Sequence, residues 1–109
     1  MVTKMDENLP ISEQYRIIAK KWVDAESAAS ILEETKSSLL ANMMLQQGDI
    51  PVSRAEMKSK ASEPWREFLR DMVGARETAL RLKVQLEYIR MKFHEWQSAE
   101  ATRRAEMKL

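Results

Sequence analysis

The sequence predicts an all-α protein: a long antiparallel helical hairpin, coiled-coil-like, with a short connecting helix, dimerising into a four-helix bundle. Three observations lead there. Apolar residues recur at alternating steps of three and four along two long stretches, the spacing that keeps one stripe facing a partner helix. The composition is rich in Ala, Glu, Lys, Arg, Leu and Met, with two glycines and three prolines among 109 residues, and these are the residues that long helices use. A second apolar stripe on the second helix exceeds what one partner helix can cover. At this length the chain forms one domain.

Residues 1–11 read as an N-terminal arm. The first helix, 12–47, carries the seam Ile11, Tyr15, Ile18, Trp22, Ala25, Ala29, Leu32, Lys36, Leu39 and Met43, in which only Lys36 is polar. Ser12 is the expected N-cap, and Glu13 stands in the first turn, where the helix dipole favours an anion. Gly48 is the expected stop, because a left-handed residue is wanted just past a helix end. Residues 48–62 hold a turn, Gly48-Asp49-Ile50-Pro51-Val52, and a short helix over about Arg54 to Lys60, opened by the capping-box pattern Ser53-Arg54-Ala55-Glu56. Its Met57 is expected to cover the turn end of the core.

The second long helix, 63–109, carries the seam Trp65, Phe68, Met72, Ala75, Ala79, Leu82, Leu86, Ile89, Phe93, Trp96, Glu100, Arg103 and Met107, and ends in a basic tail. Pro64 suits a first helical turn, where its missing N–H costs nothing. Gly74 is either a hinge or, beside Ala75 and Ala79, a site of close helix approach; the second is expected. Trp65, Phe93 and Trp96 are expected in the core because they lie on the seam.

Antiparallel pairing from the turn places Met43 near Phe68, Trp22 near Ile89 and Tyr15 near Trp96. Helices of roughly 54 and 65 Å exceed a compact domain of this size, whose radius of gyration is about 13 Å. Either the helices fold back or two hairpins associate. The stripe Leu69, Val73, Leu80, Val84, Tyr88 and Met91 favours association, as a homodimer or partner interface.

Composition excludes several functions. With no cysteine there is no disulfide framework and no thiolate metal site. No apolar run is long enough to span a membrane, and the start lacks a signal-peptide core, so a cytoplasmic protein is expected. Neither a glycine-rich phosphate cradle nor a catalytic motif occurs. The one histidine, His94, reads as a surface residue. Metal, cofactor and small-molecule substrate are therefore not expected, and the chain reads as a non-enzyme.

Charge is the remaining functional signal. Residues 1–50 hold five Lys and Arg against eight Asp and Glu; residues 51–109 hold thirteen against nine. This split lets an acidic helix pair with a basic one along their flanks, or leaves basic groups for phosphates. The candidates for contact with nucleic acid or an acidic partner are Arg81, Lys83, Arg90, Lys92, Arg103, Arg104 and Lys108. Arg81 and Arg90 also have Glu77 and Glu87 within helical reach.

The stretch from Leu86 to Ser98, LEYIRMKFHEWQS, followed by Glu100 to Met107 and preceded by the turn Gly48 to Ser53, resembles small uncharacterised all-helical proteins encoded by phages and prophages of Gram-negative bacteria. The resemblance implies an accessory role in the phage programme, in DNA replication or recombination, inside a bacterial host cell. It assigns no functional residue. An inhibitor or adaptor binding a host or phage protein through a helical face, or a structural assembly component, is the alternative.

Overall fold

The computed structural model describes residues 6–108. The start of the expected arm, 1–5, and Leu109 lie outside the described residues. The element order is α1 (Ile11–Leu45), α2 (Val52–Lys60) and α3 (Glu63–Met107). Helix is the only regular secondary structure among the described residues, as the three-four periodicity predicts. Both long helices are continuous, and they pack against each other along the expected seams.

The chain divides into two compact units, which are taken separately. Unit 1 joins the start of α1 to the part of α3 after Leu80. Its core is Ile18, Leu82, Leu86 and Ile89, each 7% exposed or less, all of them predicted seam positions. Burying one such side chain contributes about 1.5–3 kcal/mol. Unit 2, Asp24–Ala79, holds the rest of α1, all of α2 and the start of α3. Ala29 and Ala79 are buried there, small residues that let two helices approach. Trp65 is buried as expected, its ring stacked on Phe68 at 5.8 Å. Lys36, the polar residue of the first seam, is exposed.

The helix ends differ from expectation in instructive ways. α1 begins one residue early, so Ser12 lies inside the first turn and does not cap it. The Pro10 carbonyl accepts the N–H bonds of Glu13 and Gln14, both 3.0 Å. α2 likewise opens at Val52 behind Pro51, whose carbonyl accepts from Arg54 and Ala55, and no side chain caps it. The capping box at Ser53 and Glu56 does not form, because the helix already begins at Val52 and Ser53 lies inside its first turn. At the other end of α1, Gly48 adopts φ +86°, the left-handed conformation predicted for it.

Three packing expectations are overturned. Met57 is 68% exposed, and α2 instead buries Ala55 and Ser59, one turn apart. The Ser59 hydroxyl is buried with no hydrogen-bond partner among the described residues. At Gly74, α3 runs on unbroken, and a Cβ added there would meet nothing within 4 Å; this glycine is neither a hinge nor a close approach. Phe93 and Trp96 occupy the seam but are 39% and 53% exposed. Burial along the α3 seam stops at Ile89.

Candidate binding surface

The open end of unit 1 is built around a buried amide. Gln14 is only 2% exposed. Its Nε2 donates to the carbonyl of Leu9 at 2.8 Å and of Glu7 at 3.4 Å, tying residues 6–10 to the first turns of α1. Its Oε1 accepts from Lys92 Nζ at 3.2 Å, which links α1 to α3. The same ammonium lies 5.2 Å from the centre of the Tyr88 ring, a favourable cation–π distance. One residue along α1, the Tyr15 hydroxyl accepts from Arg90 Nη2 at 3.3 Å.

Beside these links lies an open cleft of about 730 Å³, lined by Ile11, Ser12, Tyr15, Ile89, Arg90, Phe93, His94 and Trp96. That volume falls within the usual span of ligand sites. Its lining is mainly apolar, with Arg90, His94 and Ser12 among it. The Phe93 and Trp96 rings stack at 6.1 Å with 24° between their planes, and the His94 ring sits 6.0 Å from Phe93. Sequence spacing alone could not reveal this cleft, since it assigns Phe93 and Trp96 to the core and carries no mark of where burial ends.

The seven predicted cationic contacts do not gather on one surface. At about 100° per residue, positions seven apart nearly coincide around a helix. Lys83, Arg90 and Arg104 therefore share one edge of α3 beside the seam, with Lys108 one turn beyond Arg104. Arg81, Lys92 and Arg103 fall on the other side. Arg103 sits on an ion pair with Glu100 at 2.6 Å, and Lys92 is committed to Gln14 and Tyr88. Lys83, Arg90 and Arg104 of the first edge are exposed, Arg90 while donating to the Tyr15 hydroxyl. The predicted interface stripe is exposed at Val73, Leu80, Val84, Tyr88 and Met91, between 52% and 64%. Leu69 is half-buried.

In unit 2, sequence reading missed a clamp. Arg76 holds Glu33 through two parallel bonds, Nε to Oε2 at 2.9 Å and Nη2 to Oε1 at 2.7 Å, while Nη1 donates to Glu26 at 2.5 Å. Glu26 and Glu33 are seven apart on α1, the flank spacing of a coiled coil, and that was the available signal. The charge split is used for flank pairing here. Arg76 holds the Glu33 carboxyl below its ordinary value, chiefly by hydrogen bonding.

Division into units sharpens the charge asymmetry. Residues 1–23 with 80–109 hold eleven Lys and Arg against seven Asp and Glu, a formal +4; residues 24–79 hold seven against ten, a formal −3. No group of three or more His, Asp or Glu among the described residues is placed to hold a metal ion. No helix among them is long and apolar enough to cross a membrane.

These features define a class by fold: an all-α helical hairpin with an open aromatic cleft in its cation-rich unit. No family model, curated protein or solved structure matches the chain.

Proposed function

We propose that this chain is a non-enzymatic helical binding protein that works as a homodimer, a phage-type accessory factor in DNA replication or recombination that contacts nucleic acid through unit 1. The observation that carries this reading is the +4 balance of unit 1, with Lys83, Arg90 and Arg104 exposed along one edge of α3. Cations set along a helix neutralise phosphates and release counterions, a sequence-independent source of affinity.

Fluorescence anisotropy of labelled single- and double-stranded DNA tests it. Three or four phosphate contacts weaken duplex binding roughly 40- to 150-fold, and single-strand binding roughly 20- to 50-fold, between 50 and 200 mM salt. Reversing Arg90 and Arg104 to glutamate abolishes that binding, and helicity by circular dichroism stays the same. Absence of binding to either form of DNA at low salt sinks the proposal. The exposed apolar stripe of α3 favours a second reading, an inhibitor or adaptor for a host or phage protein or an assembly component. It gains ground if DNA does not bind.

A further inference from the structure

We infer that the open cleft of unit 1 is a base-stacking site, and that the nucleic acid it takes is single-stranded. This rests on the nucleic-acid reading above and adds to it both the form of the ligand and the groups that distinguish it. Exposed aromatic faces are what a single strand needs, because every base offers a π-face once it is free of a duplex partner. Within a duplex those faces are hidden in the stack. Phe93 and Trp96 are stacked on each other yet exposed. Two aromatic surfaces of unit 1 are thus left open to solvent where they line a cleft.

Charge complementarity selects the occupant. An apolar cleft alone would suit an amphipathic helix, but this one lies in the unit with the +4 balance, and the Arg90 guanidinium is part of its lining. Arg90 also belongs to the edge that runs from Lys83 to Arg104. Positions 83, 90 and 104 are seven and fourteen residues apart, about 10 and 21 Å along the axis. A strand laid along that edge meets a cation on each side of the cleft, and its bases turn inward onto Phe93 and Trp96.

The test compares an oligothymidylate of about fifteen nucleotides with a duplex of the same length. Phe93→Ala and Trp96→Ala each weaken single-strand binding roughly five- to hundredfold, the range seen for losing one stacked base. Duplex affinity and the salt slope of single-strand binding stay unchanged, and Trp96→Phe restores most of the loss. Both residues are exposed, so helicity should survive, and circular dichroism checks that it does. Oligothymidylate also quenches tryptophan fluorescence in the wild type, and most of that quenching is lost in Trp96→Ala, since Trp65 is buried and Trp22 half-buried.

If both alanine variants bind the single strand like the wild type, with its salt dependence intact, stacking is overturned and the electrostatic reading stands. Equal losses for single strand and duplex likewise overturn it. A wild type that binds neither form overturns both readings and leaves the cleft to a protein helix.

Discussion

Arg76 shows how one side chain turns a charge asymmetry into a contact. A guanidinium offers donors in a fixed fork that matches a carboxylate, and here the fork takes Glu33 with two bonds while the third nitrogen reaches Glu26. Arg76 is 29% exposed and the carboxylates about 40%, so water and salt weaken the pairing. Its signature is in pH. The Glu33 carboxyl is lowered from its ordinary 4.5 by the bonds to Arg76. A group lowered on folding adds stability above its unfolded value, and that contribution disappears as pH falls through the folded one. Acid therefore destabilises the wild type more than Glu33→Gln. Thermal unfolding followed from about pH 7 to about pH 3 should show the variant melting lower at neutral pH and the gap closing in acid. A constant gap across the titration rejects the clamp as a source of stability.

At the scale of elements, α3 is the case where local sequence and structure disagree in a useful way. Gly74 lies inside a continuous 45-residue helix, exposed and with open space where a Cβ would stand. Nothing requires glycine there, and glycine carries a conformational entropy cost in the unfolded chain. Gly74→Ala should stabilise the protein by about 1 kcal/mol, read as a Tm several degrees higher at unchanged helicity. A lower Tm would mean that the position has a packing role. Periodicity made the two long helices legible to within two residues at their ends, the S-x-x-E pattern located α2, and the seams hold the buried Ile18, Ala29, Trp65, Ala79, Leu82, Leu86 and Ile89. The caps were harder to read, because α1 and α2 start directly after Pro10 and Pro51, which leaves Ser12 and Ser53 inside the first turn. Spacing also gave no warning of the cleft. A heptad pattern says which face is apolar, whereas its burial depends on how far the opposing helix extends.

At the scale of the whole molecule, the unused apolar surface and the charge must be reconciled. Leu80, Val84, Tyr88 and Met91 form a stripe at steps of four, four and three, all more than half exposed. An antiparallel two-fold would set Leu80 against Met91 of a second copy and Val84 against Tyr88, while Lys83 meets Glu87 on the flank. A symmetric dimer uses the same patch twice, so it requires self-complementarity of this kind. The same arrangement brings two units of +4 together. Salt screens that repulsion and leaves apolar burial intact, so dimerisation should hold or tighten under the salt that strips DNA away. Sedimentation equilibrium should give twice the 12.7 kDa chain mass at low and high salt. Val84→Glu, which sets a carboxylate at the centre of the stripe, should weaken the dimer on the order of a hundredfold and keep its helicity. A wild type that stays at the monomer mass over the whole concentration range would remove the dimer. A dimer indifferent to Val84→Glu would instead relocate the interface, leaving the stripe for a different protein.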